Sequence, residues 1–236
     1  MSGLPQYVLL GAGSLALEVA SYIIDAAAAS PDRLVNPTRS LISDVVAPER
    51  SRTDDISGIV GAAPVVHPSL DTVEGLPGKV GIICNGDPEV REQLLADAAA
   101  HGLQMSALIH PSAVVSSTAK IGRGAIICPF VFVGPLATIE DNVLVNVHAT
   151  VGHDVELGAS SVISPGAQLN GFARVGRSAF VGAGAVMHLR AALGAYSKLS
   201  AGSVLTKAVG DGYIMHGNPA IGRQMIAVGR NEGVQS

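Results

Sequence analysis

A repeat of six residues dominates the second half of the chain and limits the possible folds more than any other feature. Steps of six from Ile109 to Leu205 meet an aliphatic residue at all seventeen positions, and the residue two places earlier is small throughout. A period of six matches neither an α-helix, at about 3.6 residues per turn, nor a plain strand, at about two. It predicts a triangular solenoid, the parallel β-helix of hexapeptide repeats.

Within each hexapeptide we expect one short strand and one corner. The aliphatic side chain points inward, the small residue fits close to a corner, and a Gly or Asn is expected to take the tight turn. Glycine follows the aliphatic position at Gly122, Gly134, Gly152, Gly158, Gly176, Gly182 and Gly194.

Composition narrows the functional classes. Aromatic residues make up 3% of the chain and there is no Trp, so the core must be built from aliphatic residues. The net charge is −4 without a run of basic residues, which argues against nucleic acid as the main partner. No apolar segment reaches the roughly 18 residues that span a membrane. We expect a cytoplasmic protein, with Cys84 and Cys128 as reduced core residues.

The first hundred residues follow a different pattern, in which apolar strand-like segments alternate with helical ones. After a first strand come a glycine turn and a helix, and further strands are predicted at 40–44, 79–87 and 103–109. A helix is predicted from Pro88 to His101, with proline in its first turn. Alternating strands and helices indicate a small parallel α/β domain, about half of a dinucleotide-binding fold.

Three regions follow from these patterns. Residues 1–108 form the half-Rossmann-like α/β domain, 109–208 form the parallel β-helix, and 209–236 form a C-terminal tail. Within the tail, the segment 218–230 has the pattern of a short amphipathic helix that begins at a proline.

The α/β domain offers candidate ligand contacts at the carboxyl ends of its strands. Gly11, Gly13 and Ser14 begin a GxGxxA turn, whose N–H groups either hold a phosphate or serve only tight packing. Asp44 ends the second predicted strand, where a carboxylate meets a ribose or sugar hydroxyl, or only solvent. Asn85, Gly86 and Asp87 follow the next strand at the ligand-binding edge of the sheet. A half-sized domain favours a nucleotide-linked sugar over NAD.

Two histidines lie five residues apart in the segment VNVHATVGHDVELG, residues 145–158. His153 falls on a corner and suits the role of general base, with Asp154 to orient it or, alternatively, Asp141 from an earlier corner. His148 lies one hexapeptide earlier and either lines the acceptor site or forms a zinc pair with His153.

The zinc alternative requires a third protein ligand. The position two coils before His148 is Ser112, and His110 is out of register, so we expect no metal. The remaining histidines are expected at the surface: His67, His101, His188 and His216.

The chain resembles the bacterial hexapeptide-repeat sugar O/N-acetyltransferases. This family includes sialic-acid O-acetyltransferases and the N-acetyltransferases of UDP-linked 4-amino sugars. The resemblance rests on an α/β domain that is followed by IHPSA (109–113), the unbroken repeat with VGHDVELG, and HGNPA (216–220). It implies a left-handed β-helix, acetyl-CoA as co-substrate, and His153 and Asp154 as catalytic residues. It also implies a homotrimer with active sites between subunits and a role in cell-surface polysaccharide biosynthesis.

The sequence patterns and the resemblance together imply two sets of binding residues. The sugar nucleotide would be held by Gly11, Gly13, Ser14, Asp44, Asn85, Gly86, Asp87, Asn146 and His148. Acetyl-CoA would be held by Gly171, Gly182, Ala183, Ala201, Gly202 and Lys207, with Arg223 as a further phosphate contact; the small residues are also what the repeat requires structurally.

The expected activity is therefore direct acetyl transfer to the amino group of a nucleotide-linked amino sugar. The alternatives are O-acetylation of a sialic-acid-like sugar, a non-catalytic scaffold that binds sugar nucleotides, and a zinc enzyme resembling the β-helical carbonic anhydrases. The chain departs from the family at Ser14–Leu17 and at Val162, where the family often has histidine. These departures leave the acceptor open.

Overall fold

The computed structural model describes residues 6–29, 41–47 and 52–225, in which a five-stranded sheet is followed by a long solenoid. The sheet is parallel, with strand order β3-β2-β1-β4-β5. Its strands are β1 (Gln6–Leu10), β2 (Ile42–Val46), β3 (Val65–His67), β4 (Lys79–Ile83) and β5 (Gln104–Met105). The helices are α1 (Ser14–Ala29), α2 (Thr53–Val60) and α3 (Pro88–Ala100), with a 3-10 turn at Leu70–Thr72.

Side chains of β1 alternate between two apolar layers, as a strand covered on both faces requires. Leu9 packs on the side of α1, whereas Val8 and Leu10 pack with Leu70 and Ala98 on the side of α3. The predicted α/β domain is therefore confirmed. The elements α2 and β3 were not predicted, and the predicted strand at 103–109 is divided into two short strands.

The solenoid consists mainly of two-residue strands, each paired in parallel with the strands 18 residues away. Phe132–Val133, for example, lies between Val114–Val115 and Thr150–Val151. Three stacked sheets result, as in a left-handed parallel β-helix.

Each sheet forms one face of the triangular solenoid. The first face contains Val114–Val115, Phe132–Val133, Thr150–Val151, Gln168–Leu169, Val186–Met187 and Val204–Leu205. The second contains Lys120–Ile121, Thr138–Ile139, Glu156–Leu157, Arg174–Val175, Ala192–Leu193 and Ala208–Val209. The third contains Leu108–Ile109, Ile126–Ile127, Leu144–Val145, Val162–Ile163, Phe180–Val181, Lys198–Leu199, Tyr213–His216 and Ile221–Gln224.

The recurrent glycine does not have the role that the sequence predicted. Positive φ angles occur two residues after that glycine, in each hexapeptide from Gly124 to Gly202. Ten of these left-handed positions are not glycine: Phe130, Leu136, Asn142, His148, Asp154, Ser160, Phe172, Ser178, Arg190 and Tyr196. The recurrent glycines instead allow stacked coils to approach. A Cβ on Gly134 would lie 2.8 Å from the backbone nitrogen of His153, closer than atoms can pack.

The three corners of the solenoid face different surroundings, and we name each by its main feature. The His153 corner lies between the first and second faces, and the His148 corner between the third and first. The α3 corner, between the second and third faces, contacts helix α3 through Asn142, Ser178 and Tyr196.

The three faces also differ in what covers them. On the third face the outward residues Leu108, Ile126, Leu144 and Val162 are buried in one apolar cluster with α1. The second face carries charged side chains such as Glu156 and Arg174, which form an ion pair. The first face and its two corners expose the large apolar residues Val114, Phe130, Phe132, Leu136, Phe172 and Leu189.

The predicted C-terminal helix is wrong in the part that the structure describes. Ile221–Gln224 is a strand that pairs antiparallel with Tyr213–His216 and extends the third face. This pairing supplies backbone hydrogen bonds to a strand that would otherwise end the sheet. Residues 226–236 lie outside the described residues. No described helix combines the length and apolarity that crossing a membrane requires.

Candidate active site

His153 and Asp154 form a hydrogen-bonded pair at the His153 corner. His153 Nδ1 lies 2.8 Å from Asp154 Oδ2, and about half of the His153 side chain is exposed. Asp154 has a φ angle of 57°, and this left-handed backbone places the carboxylate beside the preceding imidazole. A carboxylate on Nδ1 favours the tautomer with its proton there, so that Nε2 is free to accept one. Among the described residues, none hydrogen-bonds Nε2.

Three residues of later coils support the His153 ring. A Cβ on Gly171 would collide with the imidazole, so the ring lies directly over this glycine. The Phe172 ring meets the imidazole edge to face, with centroids 5.2 Å apart. The Arg190 guanidinium lies 5.0 Å above the Phe172 ring, within the range of a cation–π contact. Sequence reasoning missed Phe172 and Arg190; their only signal is the 18-residue spacing that places Asp154, Phe172 and Arg190 in one column.

His148 lies at a different corner and has no carboxylate partner within hydrogen-bonding distance among the described residues. It occupies the left-handed position itself, and its ring stacks on Phe130 with centroids 5.1 Å apart. Asn146, two residues earlier, accepts a hydrogen bond from the Val147 N–H through its own side chain. The structure therefore places His148 and His153 on successive corners instead of bringing them together.

The two predicted turns of the α/β domain lie side by side at the carboxyl ends of β1 and β4. Gly11 has a φ angle of 120°, and a Cβ there would lie 2.9 Å from the Cys84 carbonyl oxygen. Gly13 and Gly86 face open space, where a Cβ would meet nothing within 4 Å. Ser14 is exposed at the first residue of α1. This edge is thus accessible to a ligand.

Two of the predicted residues in this region have local structural roles. Asp87 caps α3, because its Oδ1 accepts hydrogen bonds from the N–H groups of Glu89 and Val90. Asn85 Oδ1 in turn accepts the Asp87 N–H at 2.8 Å. The cap leaves Gly86 as the exposed residue between them.

The placement of Asp44 at a strand end was wrong. Asp44 lies in the middle of β2 and is buried, bonded to His67 Nε2 at 2.9 Å and Lys79 Nζ at 2.6 Å. Burial alone would raise the pKa of this carboxyl, but hydrogen bonds from Lys79, Ser43 and His67 hold it below its ordinary value. A bulge in β2 beside Tyr7 and Val8 shifts the register, so that Asp44 pairs with Val8.

The residues predicted for acetyl-CoA fall on two corners. Ala183, Ala201 and Gly202 are exposed on the His148 corner, where Gly202 has a φ angle of 66°. Lys207 is exposed near the top of the His153 corner. Gly182 is buried, because a Cβ there would collide with the backbone of Ala201.

Gly171, also predicted to hold acetyl-CoA, belongs to neither exposed set. It is buried beneath the His153 ring, and its role is to admit the imidazole. Asp141, the alternative orienting group, instead binds the Arg123 N–H and guanidinium.

The other histidines and the cysteines divide between surface and core. His188 and His216 are exposed as predicted, and His101 is partly exposed, hydrogen-bonded to Asp71. His67 is buried beside Asp44, so its predicted surface position was wrong. Cys84 and Cys128 are free and buried, and burial raises the pKa of both thiols to about 12. The described residues contain no group of three or more potential metal ligands.

Several solved structures share this architecture over nearly the whole chain. One is a variant of perosamine N-acetyltransferase from Caulobacter crescentus, with one histidine changed to asparagine, in complex with CoA and GDP-perosamine. It is 26% identical, with a TM-score of 0.79, and the match covers 94% of this chain and 98% of that one.

A second is the acetyltransferase domain of PglB from Neisseria gonorrhoeae in complex with acetyl coenzyme A. It is 28% identical, with a TM-score of 0.79 and coverage of 94% of this chain and 100% of that one. No protein-family model and no curated protein sequence matches the chain.

These structural neighbours share with this chain an α/β domain followed by a hexapeptide solenoid. The repeat, the motif around His153 and Asp154 and the matched architecture agree with one another. Over nearly its whole length the chain therefore resembles the hexapeptide-repeat sugar acetyltransferases, a family of acyltransferases.

Proposed function

We propose that the protein transfers the acetyl group of acetyl-CoA to the amino group of a nucleotide-linked amino sugar, with His153 as general base. The observation that carries this proposal is the His153–Asp154 pair on an exposed corner. The structural neighbours support it, because one was solved with CoA and GDP-perosamine and another with acetyl-CoA.

The arrangement supports direct transfer without a covalent enzyme intermediate. The acceptor nitrogen attacks the thioester carbonyl carbon as His153 Nε2 takes the proton that the nitrogen loses. Collapse of the tetrahedral intermediate breaks the C–S bond, and the imidazolium returns the proton to the leaving CoA thiolate. Asp154 stabilises the imidazolium between these steps. No metal is required for this chemistry.

The distribution of charged residues supports a donor site on the later coils of the solenoid. Residues 160–225 contain six Lys or Arg residues and one acidic residue, Asp211, although the whole chain has a net charge of −4. Asp211 is itself engaged by the Ala195 N–H. Lys207, Arg190 and Arg223 are the cations we assign to the phosphate groups of CoA, since a positive field attracts such an anion.

The acceptor is assigned to the open edge of the α/β domain. Gly11, Gly13 and Ser14 border this edge at the start of α1, and Asn85 and Gly86 border it beyond β4. Backbone N–H groups at a helix start suit the phosphates of a sugar nucleotide. We assign the sugar itself to the solenoid corners, near Asn146 and His148.

The two corners also indicate why more than one copy is needed. Asn146 and His148 lie on one corner with Ala183, Ala201 and Gly202, whereas His153 and Asp154 lie on another. The first face between them exposes apolar residues, including Phe132 at 43% and Val114 at 63%. We infer that this face packs against a second copy, so that the His153 corner of one subunit meets the His148 corner of the next in a homotrimer.

Acetyl-CoA is a cytoplasmic metabolite, so we place the reaction in the cytoplasm. The family resemblance extends the proposal to cell-surface polysaccharide biosynthesis, in which modified amino sugars are consumed.

The test is release of free thiol from acetyl-CoA with a panel of nucleotide-linked amino sugars and free sialic acids. Wild type, His153→Ala and His148→Ala are compared. We expect turnover with a nucleotide-linked amino sugar that falls by orders of magnitude in His153→Ala. Mass spectrometry of the product distinguishes an amide from an ester.

Three results would contradict the proposal. Turnover only with sialic acids would assign an O-acetyltransferase. Binding of sugar nucleotides without turnover would indicate a scaffold. Unchanged turnover in His153→Ala would show that another group is the base.

A further inference from the structure

Helix α3 connects the proposed acceptor turn to the solenoid, and one buried arginine makes most of that connection. Arg91 is fully buried, although it is charged, and no carboxylate among the described residues pairs with it. Burial lowers the pKa of its guanidinium to about 10, so that it remains protonated near neutral pH. A buried charge without an ionic partner is stable only if its donors are satisfied.

Arg91 satisfies its donors on both sides of the junction. Toward the α/β domain, one terminal nitrogen donates to the carbonyl oxygens of Ile83 at 2.9 Å and Asn85 at 3.0 Å. Toward the solenoid, the other two nitrogens donate to the Asn142 carbonyl oxygen at 3.0 and 2.8 Å. The same guanidinium therefore holds the end of β4, where the acceptor turn begins, and the α3 corner.

Asn142 completes the connection through its own side chain. Its Oδ1 accepts from Arg91 at 2.8 Å, and its Nδ2 donates to the Arg91 carbonyl oxygen at 2.9 Å and to Ser160 Oγ at 3.0 Å. Asn142 has a φ angle of 60°, at the left-handed position of the α3 corner. The next residue of α3, Glu92, contacts Ser178 and Arg177 on the later coils of this corner.

Beyond these two residues the helix stands away from the solenoid. An open groove of about 780 Å³ separates Leu95, Ala96 and Ala99 from Glu140 and Ala159. The rest of α3 therefore adds little packing that would hold its first turn in register with the coils.

We propose that Arg91 and Asn142 are positioning residues that fix the Asn85–Asp87 turn relative to the catalytic solenoid. This inference rests on the proposed function for its kinetic consequence. Arg91 holds the turn through the Asn85 carbonyl, while Asp87 ties the turn to the first residues of α3. A change at Asn142 therefore reaches the acceptor through the turn and leaves the donor site and His153 unchanged.

The test uses Asn142→Gly in the full-length protein. Glycine adopts the left-handed backbone readily, so the coil is retained and only the side-chain hydrogen bonds are lost. We expect the acceptor KM to rise about tenfold, because the three side-chain hydrogen bonds that are lost no longer hold the turn in register with the coils. The affinity for acetyl-CoA, measured by calorimetry, is expected to stay within about twofold of wild type.

Two further variants separate positioning from a general loss of structure. Asn142→Asp keeps an oxygen that accepts a hydrogen bond from Arg91, and aspartate tolerates the left-handed backbone. Its acceptor KM is therefore expected to lie closer to that of wild type than to that of Asn142→Gly. Ser160→Gly changes the left-handed residue one coil later; it removes only the hydrogen bond from Asn142 Nδ2 to Ser160 and leaves every Arg91 hydrogen bond in place, so the acceptor KM is expected to rise much less than in Asn142→Gly. Arg91→Lys is the more severe change, because a single ammonium nitrogen cannot reach the carbonyl groups on both sides of the junction as the three guanidinium nitrogens do.

Hydrogen exchange without substrate gives a readout that does not depend on activity. In Asn142→Gly, backbone amides of residues 84–95 are expected to exchange faster, whereas those of the solenoid coils above Ser160 are unchanged. Equal rises in the acceptor KM and in the dissociation constant of acetyl-CoA, or unchanged exchange of the amides at 84–95, would overturn the inference. If wild type is inactive with every acceptor, the proposed function fails, and the exchange measurement alone decides whether Arg91 fixes the turn.

Discussion

Two corners of one coil each present a histidine, and the structure gives the two residues opposite surroundings. His153 comes one residue before the left-handed position, and its ring lies over Gly171 of the next coil. His148 is itself at the left-handed position, and its ring stacks on Phe130 of the previous coil. The φ angle at the left-handed position is nearly equal at the two corners, 58° at His148 and 57° at Asp154. A shift of one position within the hexapeptide therefore decides which coil the imidazole contacts.

The same shift decides which neighbour orients the ring. Because His153 precedes the left-handed residue, that position is free for Asp154, whose carboxylate reaches Nδ1. His148 uses the position itself and has only an aromatic face beside it. One histidine thus has the hydrogen bond that a general base requires, and the other has the setting of a binding residue.

The largest difference between the corners is expected from replacing each histidine by asparagine. His153→Asn should lower kcat by about 10²- to 10⁴-fold, because the general base is lost. His148→Asn should lower kcat by less than about tenfold and act mainly on the acceptor KM, since it removes a contact without a proton-transfer role. Steady-state kinetics with acetyl-CoA and the active acceptor measure both. Equal losses of kcat would contradict the distinction.

A methyl group beneath the His153 ring should have the next largest effect. In Gly171→Ala the new Cβ collides with the imidazole and displaces it, and misplacing a catalytic group by about 1 Å can cost roughly 10²-fold. We expect kcat to fall by this amount while the melting temperature changes little. Gly58→Ala, on α2 with open space around it, is the matched control. Full activity in Gly171→Ala would show that the ring position in the structure is not the catalytic one.

Removal of the orienting carboxylate should cost less. Asp154→Asn retains a residue that tolerates the left-handed backbone but weakens the hydrogen bond to Nδ1 and the stabilisation of the imidazolium. Asp154 is about one-third exposed, so water partly replaces the carboxylate, and we expect kcat to fall about 10- to 100-fold. Asp141→Asn serves as control, and a larger loss there would make Asp141 the orienting group.

Loss of the aromatic edge should have a smaller effect. Phe172→Leu removes the edge-to-face contact with His153 and the ring beneath Arg190. Contacts of this kind contribute about 0.5–1.5 kcal/mol, so kcat/KM should fall about two- to tenfold. Phe130→Leu, the matching change beneath His148, should leave kcat unaltered. If both variants lose kcat equally, the two aromatic contacts have the same role.

The smallest effect is expected from a chelator. His148 and His153 lie on successive corners, and the described residues contain no group of three potential ligands. Activity should therefore be unchanged after dialysis against EDTA, and elemental analysis should find no stoichiometric zinc. Loss of activity that zinc restores would support the carbonic-anhydrase-like alternative and join the two histidines in one site.

The solenoid could be predicted closely from the sequence because each contact recurs every 18 residues. The inward positions from Ile121 to Leu205 and the corner location of His153 follow from counting. The role of the recurrent glycine was misjudged, since a period reveals which positions recur but not which of them has a positive φ. The left-handed position is hidden because Phe130, Asp154 and Arg190 share no side-chain property.

The α/β domain was predicted only in outline, because its contacts join residues far apart in the chain. Asp44 and Lys79 are 35 residues apart, and a bulge in β2 shifts the register of the strand that contains this carboxylate. Arg91 lies in a helix rich in charged residues, where nothing distinguishes a buried arginine from an exposed one. Its contact with Asn142 spans 51 residues and depends on how the two domains meet.

Because the coils stack in parallel, the number of coils determines how far the last residues of the His153 corner lie from His153. Strands stacked in a sheet lie about 4.8 Å apart, so the height of any corner residue above His153 is a whole number of such steps. Deletion of one complete coil between His153 and Lys207 would keep the three corners aligned but bring Lys207 closer to His153 by one strand spacing. Under the proposed function, the number of coils therefore sets the distance between His153 and the cations assigned to the phosphate groups of CoA.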